Sequence, residues 1–592
     1  MYRAPVSTIA FTLRHAADFE AARAEGLYGD LAGDDVDAIL EEAGRFASDV
    51  IAPLNLVGDR HGTPLEDGRI AMPPGWKEAY AAWAKAGWNG LAAPAQYGGQ
   101  DLPQAVSIAC TEMWNAASAA FGVGPILTMA GIDALARHGS QELKAAYLPK
   151  LVSGEWMGTM QLTEPQAGSD VGALRTRAVR QPDGTYRLTG QKIFITYGEH
   201  DLTDNIIHLV LARLPDAPPG TRGISLFVVP KFLVNADGSR GERNDVRAHS
   251  IEHKMGLHAS PTCTMVYGDN GGATGFLVGE ENRGMAYMFT MMNRARLAIG
   301  AQGVAIAEAA TQHAVNYARE RKQGRTAGMD ATQSSAIVEH PDVRRMLMTM
   351  RALTNAARAI CYATAVAIDR GERAGDPAVR AAAQARASLL TPVAKSFSTD
   401  VATDVASLGI QVHGGMGFIE ETGAAIFYRD ARITQIYEGT NGIQAIDLVT
   451  RKLPMSGGGA VRTYLAELRA VVDDVHAAND PAFGETGRRL GEALDALERA
   501  TEWLLSRTAD APEQALAGAT PYQRLFGIAA GGCMLAKDAL AAKRAGGTIA
   551  ADPLVAAARF FAAHIAVGAA GLATTVIEGA DSVDMLPSAM LG

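Results

Sequence analysis

The chain has 592 residues, a length that predicts about four domains or subdomains. Its residues are 48% hydrophobic and 20% charged, and the mean hydropathy is +0.01. This excludes a disordered chain, which would contain fewer apolar and more charged residues. The formal net charge is −10 and the pI is about 5.8. Because proteins that bind polyanions usually carry the opposite charge, DNA, RNA and acidic membrane surfaces are not expected as partners.

Cysteine usage indicates a reducing compartment. The four cysteines are widely separated and form no C-x-x-C pair, which argues against a disulfide framework and against a cysteine-rich metal site. They are Cys110, Cys263, Cys361 and Cys533. The first 34 residues carry Arg3 and Arg14 with no acidic residue before Asp18. They resemble a transit peptide faintly, and we interpret them as the N-terminal arm of a cytoplasmic protein.

The hydrophobic pattern changes twice along the chain and divides it into four parts after the arm. Residues 35–156 repeat apolar residues at helical spacing, and residues 157–280 contain β-branched and alternating runs. Residues 281–455 are helical again, with apolar-periodic stretches long enough for a bundle. Residues 456–592 continue with about four more amphipathic helices. The pattern predicts an α+β protein with an N-terminal α-helical domain, a middle β-domain, a C-terminal helical bundle and an extra all-α C-terminal domain.

Three local signals refine this division. Asp183-Gly184 lies between alternating segments and predicts a β-hairpin, whereas residues 235–245 (NADGSRGERND) are expected to form a polar loop. Pro454 and the run Ser456–Ala460 (SGGGA) are expected to form a linker. The apolar run 560–577 is just long enough to span a bilayer. Because it contains a histidine, two glycines and two threonines, and alanine is its most frequent residue, we predict a buried helix and no contact with the membrane interior.

Three segments carry residues suited to chemistry. MQLTEPQAGSDVGALRT (residues 160–176) offers hydroxyls and unobstructed backbone N–H groups to an anionic or heteroaromatic ligand. KIFITYG (192–198) is a strand with an aromatic residue and a threonine at its end. The third segment, 407–444, contains two adjacent glycines and a glutamate inside the turn YEGTNG. Taken singly, the first segment is most often a turn, the second a core strand and the glutamate of the third a solvated side chain.

Together, and in this order around a β-domain, these segments resemble the acyl-CoA dehydrogenase family, over residues 35–455. LTEPQAGSD and IYEGTNG match its two signature sequences almost letter for letter. Desaturation of a thioester needs a base for the α-proton and an acceptor for the β-hydride. No side chain accepts a hydride, so a cofactor must, and the resemblance implies FAD. No G-x-G-x-x-G follows a strand, which disfavours a Rossmann site.

The resemblance also implies roles for individual residues. Glu438 matches the catalytic base, whose pKa an apolar pocket formed with Ile436 and Tyr437 would raise. Its backbone N–H would polarise the substrate carbonyl. The expected FAD contacts are Leu162, Thr163, Gly168, Ser169, Phe194, Ile195, Thr196, Arg321, Gln411, Gly414, Gly415 and Thr440. Arg321, Gln411, Gly414 and Gly415 would come from a second subunit. The expected substrate contacts are Ser169, Asn293, Arg296 and Gly439.

The sequence departs from the family pattern at several of these positions. Phe194 replaces a frequent tryptophan, and Asn293 replaces a frequent aspartate. The family's R-K-x-F-G becomes residues 321–324 (RKQG), without the phenylalanine. In a subset of the family the base comes from the position before Arg296, but here that residue is Ala295, which cannot accept a proton.

The histidines have less specific interpretations. His413, which precedes two glycines, is either a flavin contact or a packed, hydrogen-bonded side chain. His249, His253 and His258 lie near Glu252, but their spacing is imperfect for a metal site. No metal is therefore expected.

The extension and several motifs resemble one subgroup most closely. The length, the MYRAPV arm and HKMGLHASPTC (residues 253–263) are similar to 3-(methylthio)propanoyl-CoA dehydrogenases of bacterial sulfur metabolism. Family members with such an extension are typically homodimers, with electron-transfer flavoprotein as electron acceptor. Ordinary fatty acyl-CoA substrates and a flavin oxidase remain alternatives. A DNA-binding relative is disfavoured, because residues 456–592 contain 11 Lys/Arg and 16 Asp/Glu.

Overall fold

The computed structural model describes residues 1–327, 330, 332–545, 551–583, 585 and 590. The chain packs as two compact units. Unit 1 contains Met1–Arg45, Pro103–Ala116 and Arg296–Gly592, and unit 2 contains Phe46–Leu102 and Ala117–Ala295.

The helices occur in both halves of the chain and account for most of unit 1. In chain order they are α1 (Val6–Arg14), α2 (Phe19–Ala24), α3 (Gly33–Phe46), α4 (Asn55–His61), α5 (Trp76–Lys85), α6 (Gln104–Ala117), α7 (Ala119–His138), α8 (Gln141–Val152), α9 (Gly284–Glu320), α10 (Pro341–Arg373), α11 (Pro377–His413), α12 (Ala424–Thr434), α13 (Asn441–Asp447), α14 (Gly459–Ala478), α15 (Thr486–Arg507), α16 (Pro512–Ala517), α17 (Ala519–Ala545), α18 (Ala551–His564), α19 (Ala569–Glu578) and α20 (Ala580–Val583).

The strands all belong to unit 2. They are β1 (Leu65–Glu66), β2 (Arg69–Ile70), β3 (Met157–Gln161), β4 (Arg177–Arg180), β5 (Tyr186–Thr196), β6 (Ile206–Arg213), β7 (Ile224–Pro230), β8 (Phe232–Val234), β9 (Arg240–Arg243), β10 (Val246–Ile251), β11 (Thr262–Tyr267) and β12 (Ala273–Leu277). The main sheet has the order β10-β11-β5-β12-β7-β6-β3, and β4 pairs with β5 and β6. β3 and β6 are parallel. Strands β6 and β7 are buried almost throughout and form the centre of this core.

One hairpin signal was interpreted correctly and a second was missed. β4 and β5 form the predicted hairpin, in which Gly184 takes a positive φ of 83°. The prediction of a polar loop over 235–245 is wrong, because β9 lies inside it and pairs with β8. Asp237-Gly238 makes this turn. The Asp237 carboxylate accepts from the Ser239 N–H at 2.9 Å and Gly238 has φ 78°, which is the same D-G chemistry as in the first hairpin.

The long apolar-periodic stretches predicted within residues 281–455 are present as α9, α10 and α11. α11 begins where the Asp376 side chain accepts from the Ala378 N–H at 2.7 Å and Pro377 occupies the first helical position, a favourable N-terminus. It ends at Gly414, whose φ is 59°. α10 and α11 pack along each other, and α17 of the extension packs on both.

The predicted linker at SGGGA is instead a tight turn. Ser456, Gly457 and Gly458 have φ values of 52°, 63° and 83°, and α14 begins at the next residue. The extension is fixed to the bundle beyond this turn. Gln523 Nε2 donates to the Pro392 carbonyl at 3.0 Å, and Gly527 approaches the Phe397 ring so closely that an added Cβ would lie 2.3 Å from it. The linker prediction was wrong because consecutive glycines also permit left-handed turns.

Within the described residues, three helical stretches are long and apolar enough to cross a membrane, judged by length and composition alone. Two of them, α7 and α17, have 83% and 89% of their most apolar window buried inside the protein. The third, Pro553–Glu578, has only 33% buried. The prediction of a single buried helix over 560–577 is therefore wrong: α18 and α19 are separated by a 3₁₀ turn at Ala566–Gly568, and Val567 is 46% exposed.

The interior of unit 1 contains a buried ion network. The Arg358 guanidinium donates to Glu112 at 2.8 Å and to Glu308 at 2.9 Å, and all three side chains are at most 1% exposed. Tyr362 Oη donates to Glu112 at 2.6 Å, and Arg351 donates to Glu308 at 2.9 Å. Buried charges are tolerated when every partner is present and are costly when one is removed. This network therefore ties α6, α9 and α10 together.

Removing the central cation tests this packing. We expect Arg358→Met to lower the free energy of unfolding by about 3–5 kcal/mol, because two carboxylates lose their shared partner. Equilibrium urea unfolding followed by circular dichroism measures the change. The control is Arg345→Met, which removes an exposed guanidinium from its pair with Asp342; we expect little change there. Equal effects of the two substitutions would contradict the network's structural role.

Candidate active site

The candidate base lies in a strained turn of unit 1. Glu438 follows α12 and precedes α13, and it takes a left-handed conformation with φ 57°. A non-glycine residue in this region costs roughly 1–3 kcal/mol, and such residues are enriched at active sites and ligand-binding sites. Gly439 continues the turn with φ 86°, and a Cβ added there would lie 2.6 Å from Gln444 Nε2. The left-handed backbone conformation therefore favours glycine at position 439.

Three donors hold the carbonyl groups of this turn. Arg296 Nε donates to the Glu438 carbonyl at 3.4 Å, and Lys395 Nζ donates to the Gly439 carbonyl at 3.0 Å. Gln444 Nε2 lies 3.4 Å from the first carbonyl and 3.5 Å from the second. Thr440 Oγ1 caps α13 by accepting from the Ile443 N–H at 3.2 Å. The turn is therefore held by side chains from α9, α11 and α13.

The Glu438 carboxyl group is suited to exchanging a proton near neutral pH. The residue is half-buried, but its Oε2 is enclosed and makes no hydrogen bond within the described part of the chain. Burial raises the pKa of Glu438 to about 7, against the opposing charges of Arg296 and Lys395. A carboxyl group with this pKa is half ionised at neutrality and can act as a general base.

Of the two side chains expected to form an apolar pocket around Glu438, Ile436 does not enclose the carboxyl group. The Ile436 side chain is 45% exposed. Tyr437 is held by a hydrogen bond from its Oη to Gln302, whose Nε2 donates to Asn115 at 2.8 Å. The raised pKa was predicted, but polar groups of α6 and α9 support the turn where an apolar flank was expected.

The first signature loop is fixed within unit 2 by a buried ion pair. Lys192 Nζ donates to Glu164 Oε1 at 2.8 Å and to the Leu162 carbonyl at 3.0 Å, and the two charged side chains are at most 3% exposed. Glu164 also accepts from the N–H groups of Arg175 and Thr176 at 2.6 and 3.0 Å. These donors, led by the charge of Lys192, overcome the effect of burial and lower the pKa of Glu164 to about 2. The ends of the loop are thereby clamped, while Gly168 and Ser169 at its tip are exposed.

The second motif presents an aromatic side chain at a β-bulge. The pairing of β5 with β11 shifts between Cys263 and Met265, so an extra residue is accommodated in β5. Phe194 there has φ 58° and is 59% exposed, whereas the next residue, Ile195, is 2% exposed. Bulges of this kind redirect a side chain and are common beside active sites. An exposed aromatic face therefore lies in unit 2, the same unit that carries the exposed Gly168 and Ser169.

The remaining predicted residues fall into two groups. Several are exposed: Asn293, Arg321, Gln411, Gly414 and Gly415. Arg296 is 7% exposed and contacts the Glu438 turn. His413 is packed, as one of its two interpretations proposed. Its ring stacks on His313 and Tyr317 with centroids 4.7 and 4.4 Å apart, and its Nδ1 bonds the Gly409 carbonyl at 2.7 Å.

Sequence reasoning missed three residues that support these loops: Glu164, Lys192 and Lys395. Glu164 and Lys192 lie within motifs that were singled out, whereas Lys395 lies in the sequence before the third segment. The available signal was a lysine in an otherwise apolar run, KIFIT for Lys192 and TPVAKSF for Lys395. A lysine in such a run must reach solvent or find a buried partner.

Family models match successive parts of the chain. The N-terminal domain of acyl-CoA dehydrogenases matches residues 33–155, their middle domain 159–270 and their C-terminal domain 282–453. An acetyl-CoA dehydrogenase C-terminal-like domain matches residues 464–587. A 3-methylmercaptopropionyl-CoA dehydrogenase of Ruegeria pomeroyi is 48% identical over 98% of this chain and 99% of its own length. The chain belongs to the acyl-CoA dehydrogenase family.

This acyl-CoA dehydrogenase is also similar to a butyryl-CoA dehydrogenase of Syntrophomonas wolfei, which is 34% identical over 98% of each chain. Its fold matches the solved structure of an acyl-CoA dehydrogenase complexed with FAD from Bacillus anthracis, with a TM-score of 0.74 and 22% identity over 93% of this chain and 89% of that one. The predicted α+β fold class and the flavin-dependent dehydrogenase activity are confirmed. The family depends on FAD in general.

The ion pair behind the first signature loop of this acyl-CoA dehydrogenase can be tested directly. We expect Lys192→Met to lower the free energy of unfolding by about 3–5 kcal/mol, since Glu164 is left buried without its cation. Hydrogen exchange should become faster in residues 162–176 before other parts of unit 2. Lys150→Met, which breaks the exposed pair with Glu155, is the control and should change neither quantity appreciably. Unchanged exchange in the loop of the Lys192 variant would show that the pair does not hold it.

Proposed function

We propose that Glu438 removes the α-proton of a bound acyl-CoA thioester. The observation that carries this proposal is the enclosed, unbonded Oε2 of a carboxyl group whose pKa burial raises to about 7. This group lies in a left-handed turn whose carbonyl groups accept hydrogen bonds from Arg296, Lys395 and Gln444. When bound, FAD supplies the acceptor for the β-hydride, which no side chain can provide. Proton and hydride leave adjacent carbons, so a double bond forms between Cα and Cβ and the electrons balance.

Unit 2 has the chemical groups that a flavin needs. The exposed Phe194 ring offers a flat apolar face. Thr196, two residues further along β5, and Ser169, at the exposed tip of the first signature loop, offer hydroxyl groups. An added Cβ at Gly168 would meet no atom within 4 Å, so the backbone there is open to a ligand. We propose that these residues, with Leu162, Thr163 and Ile195, hold the FAD of this chain. The clamped loop ends would keep the exposed tip in place.

The backbone N–H of Glu438 is the second group that we propose for the substrate. Arg296 and Lys395 engage the carbonyl side of the turn. No hydrogen bond among the described residues uses the Glu438 N–H. A donor held in this way can bind the thioester carbonyl and stabilise the negative charge that develops on its oxygen as the proton leaves.

We propose 3-(methylthio)propanoyl-CoA as the substrate. The support is the 48% identical relative, which is a 3-methylmercaptopropionyl-CoA dehydrogenase and aligns over nearly the whole chain. The alternative is a short straight-chain acyl-CoA, supported by the butyryl-CoA dehydrogenase that is 34% identical over the same length. The difference in identity favours the first. Electron-transfer flavoprotein is the proposed acceptor, with oxygen as the alternative.

We further propose that the enzyme is a cytoplasmic homodimer. Met416, Phe418 and Ile419 follow the predicted second-subunit contact and are 47%, 87% and 44% exposed. Three neighbouring apolar side chains left in water favour burial by another copy of the chain. The cysteines are free and buried, which supports a reducing compartment.

The base assignment predicts the behaviour of Glu438→Gln. The substitution keeps the shape and removes the base, so anaerobic bleaching of bound FAD by acyl-CoA should slow by roughly 10²–10⁴-fold while FAD remains bound. In the native enzyme the rate should rise with pH through about 7, because the carboxylate is the active form. Stopped-flow absorbance measures the bleaching rate and its pH dependence. Comparing the rates with 3-(methylthio)propanoyl-CoA and with butyryl-CoA shows which substrate the enzyme prefers.

Glu421→Gln serves as the matched control, since Glu421 is an exposed acid in the same segment of unit 1. Its bleaching rate should equal that of the native enzyme. Rapid bleaching by a folded, FAD-loaded Glu438→Gln protein would place the base elsewhere.

The exposed apolar patch predicts how assembly can be weakened. Phe418→Ser should shift the protein from dimer toward monomer at micromolar concentration, because it removes the largest exposed side chain of the patch. Sedimentation velocity measures the distribution. Val583→Ser removes another exposed apolar side chain, 64% accessible, and should leave the mass unchanged. A Phe418→Ser protein with native mass would exclude this patch as the interface.

A further inference from the structure

Lys395 is a buried lysine immediately behind the turn that carries Glu438. It lies on α11 with no exposed surface. Its Nζ donates to the Gly439 carbonyl at 3.0 Å and to Asn441 Oδ1 at 2.8 Å. Burying an ammonium group is costly unless its hydrogen bonds are supplied. Both acceptors come from the YEGTNG turn, so the interactions that compensate this burial are made with the candidate active-site loop.

The second acceptor is fixed from its other side. The Asn441 amide donates to Asp400 Oδ1 at 2.7 Å and to Thr399 Oγ1 at 3.0 Å. Gln435, which precedes the turn, donates to the same Asp400 oxygen at 2.7 Å. Residues on either side of Glu438 are therefore bound to α11, and Lys395 binds the part of the turn between them.

We propose that Lys395 is a positioning residue for the reaction: its ammonium group holds the Gly439 carbonyl and Asn441, so that the left-handed turn at Glu438 persists, and its positive charge favours the carboxylate form of Glu438. The proposal rests on the proposed function of Glu438 as the base. Lys395 itself donates no proton to the substrate. It acts through the turn and through its charge.

The charges around this site come from several helices. Arg296 of α9 is the second cation near Glu438, and Asp447 and Arg451 in turn face Arg296. Asp400 lies near Lys395 on the same helix, α11, with Asp404 and Arg524 beyond it. Burial lowers the pKa of Lys395 to about 7, against the opposing charges of Glu438 and Asp400, so its positive charge is fully present below this pH and is lost above it. Loss of Lys395 would leave Arg296 as the cation next to Glu438. Because burial already raises the pKa of the carboxyl group, the loss of one of two opposing cations should raise it further.

Two substitutions separate the charge from the hydrogen bond. Lys395→Gln removes the charge but keeps an N–H donor one atom shorter, and Lys395→Met removes both. Arg386→Met is the matched control, because Arg386 lies nine residues earlier on the same helix and pairs with Glu467 near the surface, roughly 13 Å along the helix axis. All variants are tested as FAD-loaded full-length enzyme.

The first measurement is a pH titration of the Glu438 carboxyl group in the infrared, assigned by subtracting the spectrum of Glu438→Gln. It reports protonation without turnover. We expect the midpoint to move upward by about one pH unit or more in both Lys395 variants, the usual size for a nearby opposite charge, and not in Arg386→Met. The Gln variant keeps the test decisive if the Met variant does not fold.

The second measurement is the pH profile of anaerobic flavin bleaching. A one-unit rise leaves about a fivefold smaller carboxylate fraction at pH 7, so the acid limb should move to higher pH by the same amount, with KM for acyl-CoA changed less than kcat. At pH well above the new limb, the Gln variant should approach the native rate more closely than the Met variant, because it retains the donor to Gly439.

The outcomes distinguish the two proposals. An unchanged infrared midpoint and pH limb in folded Lys395 variants would overturn the role of Lys395, even if Glu438→Gln is inactive. An active Glu438→Gln enzyme would overturn the base assignment itself, whereas the infrared midpoint would still report whether Lys395 acts on the carboxyl group. A shift equal to that in Arg386→Met would show a general effect of net charge and would also overturn the proposal.

Discussion

The candidate chemistry depends on a competition between burial and two cations at one carboxyl group. Burial favours the neutral form of Glu438, while Arg296 and Lys395 favour its carboxylate. Either effect alone would move the pKa of Glu438 away from neutrality: the two cations alone would lower it, and burial alone would raise it well above 7. The left-handed turn makes the balance possible. The two cations donate their hydrogen bonds to backbone carbonyl oxygens of the turn, and within the described residues Glu438 Oε2 has no hydrogen-bond partner. The carboxyl group is thus influenced by charge and still free to take a proton.

Much of the architecture follows from the hydrophobic pattern. α9, α10 and α11 were predictable since long apolar-periodic stretches with capping residues have few alternatives. The β4–β5 hairpin was predictable from Asp183-Gly184. The errors have local causes. Asp237-Gly238 was interpreted as part of a polar loop, although it makes the same kind of hairpin turn as Asp183-Gly184. SGGGA was interpreted as a flexible linker, although three successive residues with positive φ form a fixed turn there. Glycine permits both states, and only packing against Leu505 and Arg462 selects one at Gly458.

The site was less predictable than the fold. Glu438 and the exposed loop residues could be named because they stand in signature segments that resemble a known family. The residues that support them could not be named, because they lie far away in sequence: Lys192 is 30 residues from Leu162, and Lys395 is 44 residues from Gly439. A bulge such as that at Phe194 has no sequence signature either, since it depends on the register of β5 against β11. Burial, register and distant partners decide these features, and a linear pattern contains none of them.

The two signature loops share one mode of support. Behind LTEPQAGSD, the buried Lys192 binds the Leu162 carbonyl and a carboxylate; behind YEGTNG, the buried Lys395 binds the Gly439 carbonyl and a side-chain amide. An ammonium group suits this task because it is a compact charge with three donors on a long apolar stem, which can pass through a core and end at a loop. It satisfies backbone carbonyls from the inside of the protein. The outer side of each loop, with its N–H groups and hydroxyls, is then left for ligands. Burying two lysines costs free energy, but it fixes both loops from the interior and leaves the polar groups on their outer sides free of these hydrogen bonds.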